Sequence, residues 1–379
     1  MNQKPKVYFE NLDGLRFICF LSVFLFHSFH SDYDYIKNTP TYHLVKIGVF
    51  RNGNLGVNFF FVLSGFLITY LLLKEKEYYG KINIISFWKR RVFRIWPLFY
   101  FCVFFGFVIF PLLKSYFGQM PNETANPFLY ILFLNNFDFI NKGLPDASIL
   151  GVLWSIAIEE QFYFVWPLLL SVLPARFYPY SFAGIILISL VFRYLTVDHS
   201  TYSEYHTLSC MGDLAVGGFG AWLSQRERFV LGIKNLNRLW IALLYLVVGL
   251  IYFLRDDFLL YTYPVQIAER LLIAVIFLFV ILEQNYSDQS FFKMKSFKLF
   301  SRLGVITYGL YCLHFIGILI ATTVTSRLSW NTHLWQVFFL DTSLALFITI
   351  FISSLSYRFF ELPFLKMNAR ISYISKGAN

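Results

Sequence analysis

The chain has 379 residues, 57% of them hydrophobic and 14% charged, with a mean hydropathy of +0.58. Soluble domains are close to half apolar and a quarter charged, so this balance excludes an ordinary globular protein and makes lipid the solvent. The formal charge of +10 does not point to nucleic acid. It is divided into clusters at Lys74–Lys81, Lys89–Arg94, Arg226–Arg238 and Lys293–Arg302, between apolar runs, where topology signals belong.

Apolar runs lie near 15–31, 54–73, 95–113, 128–140, 149–173, 180–197, 208–224, 239–254, 271–282, 303–324 and 335–357. The first opens with Arg16 and reaches His27 after ten intervening residues. Eleven helical steps return to within about 20° of the starting direction, so Arg16 and His27 share a face about 16 Å apart, with His27 near mid-bilayer. His30, a turn further on, is expected on the same face. A neutral imidazole in a cavity can take a proton from a hydroxyl; a buried histidine satisfied by a neighbouring carbonyl is an equal reading of these residues. Arg16 and His27 inside the run, without a small-residue cleavage site, argue against a cleaved signal peptide.

Ahead of the third run, Arg91 and Arg94 stand three apart on one helical face. Forked guanidinium donors suit phosphate oxygens, but a basic cluster beside Trp88 and Trp96 is also an interfacial anchor, and that plainer reading is favoured on residues alone. The fourth run, Phe128–Ile140, is short for a span and is interrupted by Asn135 and Asn136. If it re-enters without crossing, 23 of the 32 Lys and Arg fall on the side of both termini and nine on the other. If it crosses, two basic loops change sides against the positive-inside rule. The expected fold is therefore an all-α polytopic membrane helix bundle over residues 1–379, with about ten transmembrane helices and a re-entrant segment near 128–140 that borders a cavity.

The fifth run holds Glu159 and Glu160, about 100° apart on a helix. Glu159 shares its face with Ser155, Phe162, Tyr163 and Trp166, a polar and aromatic stripe that marks it as the inward-facing, functional carboxylate. Asp213, in a run containing Gly212, Gly217, Gly218 and Gly220, reads as a structural hydrogen-bonding group where helices pack closely. The run at 303–324 carries Thr307, Tyr311 and His314 on one face, a second polar stripe. Cys19, Cys102, Cys210 and Cys312 have no ligand or disulfide spacing, and no metal site is expected. The sequon at Asn122 carries no weight.

In combination these motifs resemble the acyltransferase-3 family of integral-membrane O-acyltransferases over nearly the whole chain. The matching stretches run in order: Leu12 to Arg16 followed by His27; Phe59–Ile68, which contains Ser64; Arg91 and Arg94 followed by Pro97; Trp154 and Ser155 through Glu159 to Tyr163; Tyr308–His314; and Tyr357–Phe364, which contains Arg358 and Glu361. The resemblance implies transfer of an acyl group, most often acetyl, from cytoplasmic acyl-CoA to a hydroxyl of a cell-surface or lipid-linked glycan. It implies a multi-pass protein of the bacterial inner membrane with both termini cytoplasmic. By analogy His27 is the catalytic base or acyl-handling residue, and Arg16, Arg91 and Arg94 hold the donor's phosphates. Glu159 assists His27 or the acceptor. Asp13, Ser64, Trp154, Ser155, Glu160, Tyr163, Tyr311, His314, Arg358 and Glu361 are expected as substrate-binding or structural polar groups. The partners implied are the glycan acceptor, the bilayer and envelope-assembly proteins. Because the chain stops soon after Glu361, the hydrolase-like domain of many relatives is expected to be absent. The rival readings are a proton-coupled transporter of glycans or small molecules, which fits intramembrane His, Glu and Arg but should show paired hydrophobic halves, and a non-catalytic scaffold, which gives His27 and Glu159 no purpose.

Overall fold

The computed structural model of the chain describes residues 8–255 and 263–369, and all regular structure among the described residues is helical. In a bilayer core every backbone N–H and C=O needs an internal partner, and long apolar runs meet that need as helices. The helices that build the site are α1 (Glu10–Ser28), α2 (Leu55–Tyr79), α3 (Ile84–Phe104), the short α4 (Pro127–Ile131) and α5 (Asn135–Lys142), α6 (Leu153–Val172), α7 (Tyr178–Leu195), α8 (Thr207–Leu223), α9 (Glu227–Lys234), α10 (Arg238–Leu254), α11 (Tyr263–Tyr286), α12 (Lys298–Val305), α13 (Thr307–Arg327) and α14 (Thr342–Ser356). Among the described residues, seven helical stretches have the length and apolarity to cross a membrane, and an eighth forms if α9 and α10, bent by 85°, are taken together. Two further long helices fall short of that standard. α1 is diluted by Asn11, Asp13, Arg16 and His27, and α8 has only 17 residues. Both are enclosed by neighbouring helices, so their polar residues face protein and not lipid.

The ten long helices among the described residues run back and forth between two unlike ends. At one end the Lys76 ammonium donates to the carbonyls of Leu170 and Leu173, at 2.9 and 3.2 Å, and to the Tyr178 hydroxyl at 2.7 Å. Arg90 pairs there with Glu75 at 3.1 Å, and Asn11 Nδ2 donates to the Gln284 carbonyl at 2.8 Å. The starts of α1, α3 and α7 and the ends of α2, α6 and α11 thus meet at a basic end. At the opposite end Tyr35 donates to the Thr332 carbonyl at 2.6 Å, Arg193 to the Gln266 carbonyl at 2.7 Å, and Lys114 pairs with Asp146 at 2.7 Å.

Segment 128–140 forms a helical hairpin in place of a single span. Phe133, with φ of 55°, separates α4 from α5. The Asn126 N–H donates to Asp138 Oδ2 at 2.7 Å, and Lys142 donates to the Thr124 carbonyl at 2.9 Å, so both arms start from the same end of the bundle. The tip reaches the interior, where Gln161 Nε2 donates to the Phe133 carbonyl at 2.7 Å and the Phe133 ring lies 4.3 Å from that of Phe99. A left-handed phenylalanine costs about 1–2 kcal/mol; burial of its ring and the bond to its carbonyl offset that cost.

A close helix contact joins α2 and α8. A Cβ on Gly65 would fall 2.0 Å from the Leu214 carbonyl oxygen, and one on Gly217 would fall 2.0 Å from that of Val62, so only glycine permits this approach. It brings Asp213 to the Arg270 guanidinium of α11 at 2.9 Å, with Asn58 Nδ2 donating to the same carboxylate at 3.3 Å. Beside them Glu269 takes Arg255 and, at 3.7 Å, Arg193. Asp213 is thus the structural group expected. The four cysteines are free thiols.

One expectation is corrected. α1 stops at Ser28, because the chain turns at Phe29 into an extended conformation (φ −83°, ψ 91°). The Lys46 ammonium holds that turn by donating to the carbonyls of Phe26 and Phe29, at 3.1 and 2.6 Å. His30 consequently leaves the shared face and lies exposed beside Asp32 at 3.3 Å.

Candidate active site

The site is a line of polar groups through the bundle, each set by helical spacing. At the start of α1, Asp13 accepts hydrogen bonds from Arg16, one turn on, and from the Tyr8 hydroxyl at 2.8 Å. Burial, then the bond to Asp13, pushes the Tyr8 hydroxyl up to about 12. In the last turn of α1 the His27 ring stacks on that of His314 with centroids 5.1 Å apart, and His27 Nδ1 lies 3.1 Å from His314 Nε2. His314 sits seven residues into α13, about 10 Å along it, and is fully buried. Its Nδ1 lies 2.7 Å from the Tyr311 carbonyl. The Tyr311 hydroxyl bonds Ser155 Oγ at 2.8 Å, carrying the line onto α6.

On α6, Ser155, Glu159 and Tyr163 recur every four residues and form one stripe. Ser64 of α2 donates to Glu159 Oε1 and Tyr163 to Oε2, both at 2.8 Å. The Arg91 guanidinium lies 5.5 Å from the centre of the Tyr163 ring and 5.7 Å from that of Phe87, distances suited to cation–π attraction. Arg94 is close enough to act electrostatically on Arg16, Glu159 and Glu361. Glu361, buried, accepts from Ser356 at 3.1 Å. Among the described residues no carboxylate lies within ion-pair distance of Arg91 or Arg94, and the buried Arg91 Nε has no hydrogen-bond partner. Two arginines therefore remain available to an anion.

Residues 9–358 match the family described as "Acyltransferase domain". The chain belongs to the acyltransferase-3 family. Among similar proteins, "Putative O-acetyltransferase SAR0937" of Staphylococcus aureus (strain MRSA252) is 31% identical over 98% of this chain and 60% of its own length. "O-acetyltransferase OatA" of Staphylococcus aureus (strain NCTC 8325 / PS 47) is 27% identical over 95% of this chain and 57% of its own length. The chain thus spans about three fifths of the relatives it matches. No solved structure matches.

The acyltransferase-3 motifs converge unequally. Arg16, Asp13, His27, Ser64, Arg91, Arg94, Ser155, Glu159, Tyr163, Tyr311, His314 and Glu361 lie along the polar line. Glu160 faces away from it, and its Oε2 accepts from Trp96 Nε1 at 2.8 Å. Trp154 packs edge-on against Phe61 and Tyr205. Arg358 is exposed over the Phe359 ring. Ser155 and Tyr311 stand between Glu159 and the histidines, and His314 is the side chain within hydrogen-bond distance of the His27 ring. Sequence reading missed Lys46, which closes α1 beside His27, and Gln161, which ties the hairpin tip to α6. Neither residue belongs to a recognisable spacing. It also missed Glu269 and Arg270, for which a signal existed: two adjacent residues of opposite charge at the edge of the run at 271–282.

Proposed function

We propose that this protein is a membrane O-acyltransferase that moves an acyl group, acetyl foremost, from acyl-CoA to a hydroxyl of a cell-surface or lipid-linked glycan. Support comes from family membership and from one structural observation. The polar line joins a histidine pair, of which His314 is fully buried, to a cluster of arginines, two of which have no carboxylate partner among the described residues. In this reading the basic end and both termini face the cytoplasm, and acyl-CoA docks there with its phosphates on Arg91 and Arg94. Arg16, already neutralised by Asp13, contributes a fixed positive field. The pantetheine arm then lies along the roughly 16 Å between Arg16 and His27.

The acceptor hydroxyl arrives from the opposite end. Its oxygen attacks the thioester carbonyl carbon as His27 takes its proton. The C–S bond breaks, the coenzyme A thiolate leaves, and the proton on His27 returns to that sulfur. Glu159, held by Ser64 and Tyr163, orients the acceptor or the thioester from the side of α6. No metal enters this scheme.

The test is acetyl-CoA turnover by the purified protein in lipid nanodiscs, read as thiol release. Wild type should turn over acetyl-CoA. His27→Ala should lose about 10²-fold in kcat, the usual contribution of a general base, and Arg91→Ala/Arg94→Ala should raise KM more than about tenfold, as loss of charge-assisted phosphate contacts does. Full activity in a folded His27→Ala protein would remove the role given to His27. Failure of the folded wild type to bind any acyl-CoA would overturn the donor assignment and bring glycan transport forward.

A further inference from the structure

We infer that His314 fixes the ring tautomer of His27, so that the nitrogen left bare for catalysis is His27 Nε2. This rests on the acyltransfer reading and deepens it. The Tyr311 carbonyl can only accept, so at 2.7 Å the hydrogen lies on His314 Nδ1. A neutral imidazole carries one ring hydrogen, which leaves His314 Nε2 with a lone pair. Its 3.1 Å contact with His27 Nδ1 then requires the hydrogen to come from His27. Neutral His27 therefore holds its own hydrogen on Nδ1 and its lone pair on Nε2, the tautomer less favoured for free histidine in water.

The surroundings of the pair are largely apolar. Phe20 and Phe24 edge the His314 ring, and Phe26 and Phe315 lie against His27. The Lys46 ammonium, from the segment that closes α1, is the nearby charge, and the Val23 backbone also acts on the His27 ring. A cation there disfavours a second positive charge, and no carboxylate among the described residues contacts either ring. His314 is a positioning residue. It touches no substrate in this scheme, and it acts by choosing which His27 nitrogen can accept the acceptor's proton.

The experiment is the ¹⁵N spectrum of histidine-labelled protein in lipid nanodiscs at mildly alkaline pH, with the His27 signals identified by their loss in His27→Ala. Wild type should show His27 in the Nδ1–H form. In His314→Phe it should revert to the Nε2–H form, with kcat down about 10²-fold and KM for acetyl-CoA within about twofold. His314→Gln, whose amide oxygen can accept the same hydrogen, should restore the Nδ1–H form and recover kcat to within about tenfold of wild type. An Nε2–H His27 in wild type, or an unchanged tautomer in folded His314→Phe, overturns the inference. The spectrum is read on resting protein, so absence of acyl-CoA turnover counts against the acyltransfer reading without touching this assignment.

Discussion

Glu159 places a carboxylate inside the bundle with two hydroxyls as its bonded donors. A hydrogen bond to a charged group contributes about 1.5–3 kcal/mol, and about 1.4 kcal/mol is a factor of ten. If Ser64 and Tyr163 act through the carboxylate, removing both should equal removing its charge. The expected outcome in the thiol-release assay is that Ser64→Ala/Tyr163→Phe and Glu159→Gln each lose about 10²-fold. The triple variant should lose no more than about threefold beyond either, because residues of one network do not add. Independent, additive losses would show that the hydroxyls serve the substrate directly.

At the scale of the element, α8 begins at an unusual cap. His206, half-buried just before the helix, accepts the Leu208 N–H on Nδ1 at 3.1 Å while its ring stacks on Phe192 and Tyr202. Burial holds the imidazole below its ordinary 6.5. The folded state then binds fewer protons than the unfolded one as pH falls below about 6.5, so the cap's contribution is present above that pH and is lost through it on acidification. Asparagine caps without titrating. His206→Asn should therefore match wild type in thermal unfolding at pH 8 and exceed it at pH 5.5; equal loss in both proteins would disconnect the cap from the pH response.

The same scale explains what could be read from residues in order. The spacing of Arg16 and His27, the stripe of Ser155, Glu159 and Tyr163, and the broken segment at 128–140 were all legible, because each is a periodicity or an interruption within one element. The end of α1 was not. Lys46 terminates it through a tertiary contact from 17 residues further on, and no local signal at Phe29 or His30 announces that. The pairing of His27 with His314 was likewise out of reach, since each could be placed on a polar face but not across from the other. Gln161 gave no hint that it would hold a hairpin tip.

For the whole molecule, the two unlike ends make sidedness testable. Cysteines placed at Gln119 and Leu144, flanking the hairpin and exposed, should both react with a membrane-impermeant maleimide from outside. One at the exposed Lys295 should react only in inverted vesicles. Labelling of Gln119→Cys and Leu144→Cys from opposite sides would turn the hairpin into a crossing and reverse the orientation of every helix after it.

The ion pair between Asp213 and Arg270 also bears on how the chain enters the bilayer during synthesis. Each residue alone near the middle of a helix opposes insertion by about 2.5–3.5 kcal/mol, and 57 residues separate them. α8 leaves the ribosome before the guanidinium that bonds its acid, which arrives only with α11. Until then the short, glycine-rich α8 has to shelter against α2, where Gly65 and Gly217 admit it and Asn58 offers a provisional donor. Assembly of the second half of the protein is in this sense templated by the first, with the ion pair completed when α11 docks.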